Sequence, residues 1–357
     1  MEPEVKEKKV KKIKLENIII GIVAVLIIIG FGIYYYLNIF NKTEEKNPNQ
    51  ETTTTKIIEE KKVQIVNLES KTRPYAVMIN NIGTARSLQS GLQDAFIIYE
   101  IIVEAGITRY LALFQDVNVE RIGSVRSVRH YYLDYVLEND AFLAHNGQSP
   151  QAGSDFSRLG IDRIEVNNTK TGWRDKTLKV SSEHTLFTST EKLANGIGNK
   201  RTERNKDYLL KYSVEPVDFS TKENVIDAKN VSVEYSSTIT SSYEYDEEAK
   251  VYKRFVNGKI HKDYVTGNQY TFKNIIVYDV ANYNLNDAEN KGRQGIDNIG
   301  SGKGYYISEG KAVPITWSKT SRSAQTIYKF ENGEKLIVND GNTFIQIQPK
   351  IKKLTIN

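Results

Sequence analysis

Glu100, Glu104 and Arg109 fall within ten positions, in FIIYEIIVE (96–104) and ITRYLALFQ (107–115). Both runs are otherwise apolar and rich in β-branched and aromatic residues, and the intervening Ala105-Gly106 is a hairpin signal. Read as a two-residue turn, it sets Glu104 opposite Ile107, Ile102 opposite Arg109 and Glu100 opposite Leu111. Side chains alternate along a strand, so Glu100, Ile102 and Glu104 share one face. Arg109 lies on that face, diagonal to both carboxylates. Two chemistries fit. Either the charges close on themselves as an internal ion triad, since an unpaired carboxylate in such a strand is costly. Or they form the floor of a ligand site, with one glutamate raised in pKa to act as acid or base. The carboxylates then stand ~13 Å apart at ~3.3 Å per residue, wider than the ~5–9.5 Å of a glycosidase pair.

A second cluster lies in RIGSVRSVRHYYLDY (121–135). The spacing of Val125, Val128, Tyr132, Tyr135 and Val136 predicts a helix over 123–139 with Ser124 as N-cap. Arg126 and Arg129 then occupy its opening turns, where a cation is unfavourable by ~0.3–1 kcal/mol. Free backbone N–H groups and two guanidinium groups together make a site for an anion. That anion is either a protein carboxylate, with Glu100 and Glu104 the obvious candidates, or a ligand phosphate or carboxylate. His145 ends the predicted strand AFLAH (141–145) and opens the loop HNGQSPQAG. Asn80 and Asn81 end the predicted strand YAVMINN (75–81) in the same way. In α/β sheets ligand sites gather beyond the carboxyl ends of strands, which would bring these amides and Asn146 to one rim with His145. The plainer reading of His145 is a loop histidine capping a backbone group. Glu100, Glu104 and His145 are thus the catalytic candidates, and Arg126, Arg129, Arg109, Asn80, Asn81 and Asn146 the ligand-binding ones.

Other chemistries are excluded or unsupported. GSGKG (300–304) lacks the earlier glycine and the following Ser or Thr of a phosphate-binding loop, and it reads as the opening of a strand. His130, His184 and His261 show no metal-ligand spacing, and no metal or cofactor is expected. The chain has no cysteine, so disulfides, thiol catalysis and lipid attachment to a cysteine are excluded. A Ser-His-Asp triad has no nucleophile-elbow signature here. Net charge is only +5, which does not describe a polycation that coats nucleic acid.

The elements that must position these residues read as follows. Residues 18–40 form a run of 23 uncharged residues, long enough to span a bilayer as a single transmembrane helix. Six lysines precede it in 1–17 and three follow it in 41–60. The positive-inside rule therefore puts a basic tail (1–17) in the cytoplasm and the rest outside, in a single-pass membrane protein. A cleaved signal peptide is the alternative, but its apolar core is shorter. Residues 41–67 read as a flexible tether. Residues 68–214 mix strands with helices, including one near Ser189 or Thr190, and predict an α/β or α+β domain with a mixed sheet. Residues 215–357 predict a β-rich domain, a small sandwich or barrel, with hairpin turns at Glu309-Gly310, Asn332-Gly333 and Asp340-Gly341.

The stretches RPYAVMINN, SGLQDAFIIYEIIVEAGITRYLALFQ, IGSVRSVRHYYLDY, DAFLAHNGQSPQAG and GSGKGYYISEGKAVPITW occur in order across roughly 70–350. Together they resemble the YerB-like family of bacterial envelope lipoproteins, domain-of-unknown-function family 3048, with N- and C-terminal parts. The resemblance implies a Gram-positive-type bacterium and an extracytoplasmic two-domain protein, and it implies no reaction. The sequence departs from the family twice. A transmembrane run stands where many relatives have a lipidated cysteine. The family's Pro-His-Asn before an aromatic becomes Glu183-His184-Thr185 before Leu186-Phe187, which weakens any role for His184. The expected function is binding an anionic cell-wall polymer or an envelope protein partner. The alternative is a hydrolase or transferase acting on wall glycan or phosphodiester.

Overall fold

The computed structural model describes residues 27–30, 32–34 and 62–357, and the chain divides into two units, Met1–Glu59 and Glu60–Asn357. In the first, residues 27–30 and 32–34 are helical, with exposed Ile and Tyr side chains. Most of the expected span 18–40, the tail 1–17 and the tether as far as residue 61 lie outside the described residues. Among the described residues no helix is long and apolar enough to cross a membrane. Residues 62–67, expected to be tether, belong to the second unit. The backbone N–H groups of Gln64 and Ile65 donate to the Asp340 carboxylate at 2.7 and 2.9 Å, and Val66 is buried.

The first half of the second unit contributes β1 (Tyr75–Asn80), β2 (Ile97–Ile102), β3 (Thr108–Phe114), β4 (Phe142–His145) and β5 (Arg163–Glu165), with α1 (Tyr132–Glu138) and α2 (Pro150–Arg158). The second half contributes β6 (Ile226–Asp227), β7 (Asn230–Glu234), β8 (Thr240–Asp246), β9 (Val251–Val256), β10 (Lys259–Ile260) and β11 (Asn274–Val280). It continues with β12 (Gly300–Ser308), β13 (Lys311–Lys319), β14 (Ile327–Phe330), β15 (Thr343–Pro349) and β16 (Leu354–Ile356). One mixed eleven-stranded sheet runs β6-β13-β12-β11-β15-β2-β3-β1-β4-β5, with β14 beside β13. The first half is therefore mixed α/β around a large mixed sheet, and the second half is β-rich.

The boundary expected at 214/215 does not separate two cores. β2 is buried at all six positions, and a strand apolar on both faces needs a neighbour on each edge and a layer on each face. One edge takes β3. The other takes β15 in parallel, from Ile97 opposite Thr343 to Ile101 opposite Ile347. Strands of the second half thus complete the sheet of the first, in place of a free-standing sandwich or barrel. The remaining strands form an antiparallel sheet, β10-β9-β8-β7-β16. Its Val231, Val233, Tyr235, Tyr243 and Tyr252 pack with Ile98, Tyr110 and Ala112 of the large sheet. On the opposite face, Tyr132 and Tyr135 of α1 and Phe156 of α2 pack with Tyr99, Ile101 and Leu111.

Two local readings are corrected. The 123–139 segment is helical only over Tyr132–Glu138. Its first residues are extended, because remote acceptors take their N–H groups: Leu186 for Val125 at 2.8 Å, Met78 for Arg126 at 2.9 Å and Gly147 for Val128 at 3.1 Å. The loop after His145 is also shorter than expected. Ser149 caps α2 by accepting from the Ala152 N–H at 3.2 Å, with Pro150 in the first turn. The expected helix after Ser189 is present at Thr190–Ala194, with Ser189 as its cap.

Candidate functional site

β1, β2, β4, β5, β11 and β15 all run the same way. Their carboxyl ends form one rim, the place where α/β sheets collect ligand sites. Asn80, Asn81, His145 and Asn146 lie there, as do the β2–β3 turn carrying Glu104 and the first residues of β3.

The hairpin forms, but one residue out of the expected register. The turn takes three residues, Glu104–Gly106, so Arg109 faces Ile101 and Glu100 faces Tyr110. A one-residue slip exchanges the faces of a strand. Glu100 and Arg109 are therefore on opposite sides of the sheet and do not meet. The expected triad becomes two separate networks.

On the α1 side, Glu104 accepts from Arg129 Nε, and its other oxygen stands 3.8 Å from Arg109 Nη2. Burial opposes the Glu104 charge, but Arg129 and Arg109 outweigh it and hold the carboxyl below its usual range. Arg109 Nη1 donates to the Ser127 carbonyl at 2.7 Å. Burial, reinforced by Arg129, lowers Arg109 to about 10. Arg293 reaches in from the 282–296 ribbon, paired with Asp287 at 2.6 Å and with Glu289 at 2.5 Å. Gln151 of α2 donates to Asp287 at 3.0 Å. Arg126 points elsewhere and pairs with Glu183; their side chains are 28% and 48% exposed. Next to Glu183, Asn80 Nδ2 donates to His184 Nδ1 at 3.1 Å. Asn146 is committed to the Val166 carbonyl at 2.8 Å. Gly147 beside it is required, since a Cβ there would meet Ser127 Oγ at 2.8 Å. With the helix beginning at Tyr132, neither Arg126 nor Arg129 lies in its opening turns.

His145 is fully buried. Its Nδ1–H donates to the Gly147 carbonyl at 2.9 Å, its ring lies against Phe156, and burial pushes its pKa down. That is the backbone-capping role. Among the described residues its Nε2 has no hydrogen-bond partner, and neither do Arg109 Nε, Arg293 Nε, Asp287 Oδ1 or Gln151 Oε1. Five unpartnered buried polar atoms along one rim are unusual, because buried polar groups nearly always find partners.

On the other side of the sheet, Glu100 is fully buried and fully used. It accepts from Thr108 Oγ1 at 2.7 Å, Ser241 Oγ at 2.9 Å and Arg254 Nη2 at 2.9 Å, with Asn81 Nδ2 at 3.4 Å. Arg254, also fully buried, bonds Tyr243, Tyr110 and, through Nε at 3.1 Å, His261 Nδ1. An arginine can only donate, so His261 Nδ1 accepts, and its Nε2–H is left to donate to Gln89 Oε1 at 2.5 Å. Burial, then Arg254 and Arg86, hold His261 well below its ordinary pKa, so it is neutral at pH 7. Gln89 in turn bonds the Asn80 carbonyl at 2.6 Å. Asn81 accepts from Arg86 through its side chain at 3.0 Å and its carbonyl at 2.9 Å. Asn81 is therefore a positioning residue for Arg86.

Sequence reading missed Arg86, Arg254 and His261. Arg254 left a signal. In VYKRFV the odd member of the buried set Tyr252, Arg254 and Val256 is a guanidinium. A charge on the apolar face of an alternating strand needs a buried partner. Arg86 and His261 left none.

Residues 62–203 match the N-terminal domain, and residues 231–345 the C-terminal domain, of the family described as "Protein of unknown function (DUF3048)". The "Putative lipoprotein YerB" of Bacillus subtilis (strain 168) is 30% identical over 292 residues, covering 80% of this chain and 84% of that protein. The crystal structure of YerB protein from Bacillus subtilis superposes with a TM-score of 0.67 at 27% identity. That likeness covers 80% of this chain and 94% of the other.

Proposed function

Because the chain belongs to the DUF3048 family, with both its N- and C-terminal domains, we propose that it is a membrane-held envelope protein that binds rather than converts. Its ligand is an anionic group on a cell-wall polymer or an envelope partner. Two features support the compartment: the relative's name as a lipoprotein and the uncharged run at 18–40 preceded by six lysines. The alternative, a hydrolase or transferase, receives no support from the geometry. Glu100 is sealed beneath the second sheet, Glu104 is neutralised by Arg129, and His145 is fully buried with its Nδ1 tied to a backbone carbonyl.

The observation that carries the binding reading is the state of Arg126. It is close enough to the buried Arg109 to lower that residue's pKa, and its only ion partner among the described residues is the exposed Glu183. An exposed pair is worth ~0–1 kcal/mol, so an incoming anion can replace Glu183 at little cost. Replacing Glu104 on Arg129 means breaking a buried pair, at ~3–5 kcal/mol. Arg126 is therefore the reachable cation, with Arg109 and Arg129 setting the positive field behind it.

The test is binding of the chain to purified phosphate-bearing wall polymer. Arg126→Ala should weaken it about tenfold, the value of one charge-assisted hydrogen bond. Glu183→Gln should tighten it, by removing the internal competitor. Identical affinity for the parent and both variants, with folding intact, would falsify the assignment to this rim.

A further inference from the structure

A cavity of about 610 Å³ opens between the helical turn Gly83–Arg86 and the β9–β10 hairpin with the 261–267 loop that follows. It lies on the Glu100 side of the large sheet, and neither Arg109, Arg126 nor Arg129 is in its lining. Three cations line it: Arg86, Lys259 and Lys262. Among the described residues none of the three has an ion pair. Exposed lysines are often unpaired here, but for an arginine held by side-chain bonds the lack of a carboxylate stands out. Arg73, Arg109, Arg129, Arg254, Arg293 and Arg322 each meet a carboxylate.

The carboxylate in the lining, Asp263, is turned away into its own loop. It accepts from the N–H groups of Gly91, Val265 and Thr266 and from Tyr270, at 2.7 to 3.0 Å. His261 in the floor is neutral. Three cations against one anion leave the lining with a net charge of +2.

Arg86 is also held in place. Asn81 takes its Nε and Nη2, while Nη1 has no partner among the described residues. Asn81 is itself fixed by Thr108 at 2.7 Å and, more loosely, by Glu100 at 3.4 Å. Such a chain of bonds orients a guanidinium without neutralising it, which is preorganisation for an external anion. The Tyr264 hydroxyl is likewise unpartnered among the described residues. Ile260 and Tyr264 of the lining are exposed.

We infer that this cavity binds a phosphate ester of a small polyol or sugar, with Arg86, Lys259 and Lys262 on the phosphate and Tyr264 against the organic part. A planar guanidinium and two ammonium groups suit a polyvalent tetrahedral anion better than a single carboxylate. The volume lies within the ~300–1,000 Å³ of small-molecule sites and exceeds what phosphate alone would fill. The chemistry is the same whether the ester is a repeating unit of a soluble polymer or a lipid headgroup.

The test uses the full chain in phosphatidylcholine nanodiscs, titrated with glycerol 3-phosphate by calorimetry, with glycerol as the uncharged control. The parent chain should bind the ester and not glycerol. Lys259→Gln/Lys262→Gln changes only exposed side chains and should weaken binding about tenfold or more; Arg86→Gln should do at least as much. Absence of binding in the parent overturns the proposal, as does undiminished binding in the lysine pair. Loss of ester binding in Arg126→Ala, with the lysine pair unaffected, would place the ester at the rim and overturns it too. Wall-polymer capture by a parent chain that does not bind the ester sinks the cavity alone and leaves the rim reading standing. Nanodiscs that also contain phosphatidylglycerol separate the sources. Reduced apparent affinity there identifies the lipid headgroup as the occupant; unchanged affinity identifies the soluble or polymeric ester. Both results support the cavity.

Discussion

At the residue scale, the decisive pair is Glu100 with Arg254, both fully buried and 2.9 Å apart. Their positions differ by 154 in sequence, so no local pattern could join them, although each was visible as a charge in an apolar strand. Removing one partner leaves an uncompensated buried charge. Arg254→Met should therefore cost ~3–5 kcal/mol in urea denaturation, and Glu100→Gln with Arg254→Met should recover most of that loss. If the double variant proves no more stable than the single one, the hydroxyl and imidazole contacts of Arg254 matter more than its charge. Arg129 and Glu104 were more legible. Glu104 was a named candidate for the anion that meets the arginines, and it is the one Arg129 takes. Arg126 was not separable from Arg129 by sequence, because both matched the same helical spacing. Only the tertiary structure divides them into a partly exposed cation and a buried one.

At the element scale, the β2–β3 turn decides which charges share a face. Ala105 and Gly106 both have positive φ, 56° and 69°, and Ser236 Oγ donates to the Gly106 carbonyl at 2.6 Å. A Cβ on Gly106 would lie 3.1 Å from Ser236 Cβ in a backbone conformation that side chains avoid. Gly106→Ala should destabilise by ~1–2 kcal/mol, whereas Ala105→Gly should be neutral or slightly stabilising. Paired urea midpoints on the two variants check this. The strands were readable because apolar alternation and turn residues are local signals. The extended start of 123–131 was not, because Val125 and Val128 satisfy helical spacing while their backbone partners come from 78, 147 and 186.

The α1 helix carries a pH dependence of its own. Burial pushes Asp134 from 3.8 up to about 6, although Arg322 and Asn298 pull the other way. A folded-state value above the unfolded one means the native chain holds the extra proton. That contribution is complete below pH ~4 and is lost as pH rises through ~6. Relative to Asp134→Asn, the parent should therefore lose ~1–3 kcal/mol of stability between pH 4 and pH 7. A difference between the two that stays flat over this interval would remove Asp134 from the account.

At the scale of the whole molecule, a continuous sheet through both family halves predicts joint folding. The 60–357 unit should unfold in one transition, with far- and near-ultraviolet dichroism coinciding. Residues 62–214 and 215–357 made separately should fail to fold alone, because β2 and β15 would each present a buried strand's edge to water. Two separate transitions, or a soluble folded half, would contradict the shared core. The compartment is open to test as well. Protease applied to intact cells should reach the 60–357 unit if it lies outside the membrane.

By itself the sequence determined the family, most strand positions, the hairpin at Glu309-Gly310, the mixed α/β and β-rich halves, and a run at 18–40 able to span a membrane. Each rests on composition or on periods of a few residues, which local sterics and burial enforce. The expected hairpin at Asp340-Gly341 is absent, because residues 337–339 pair with 211–213 and not with β15. The tertiary structure alone decided that both halves build one sheet, which glutamate meets which arginine, and that a cavity with unpaired cations opens beside Arg86. Those outcomes depend on register and on contacts between segments far apart in the chain, where a one-residue shift exchanges the two faces of a strand.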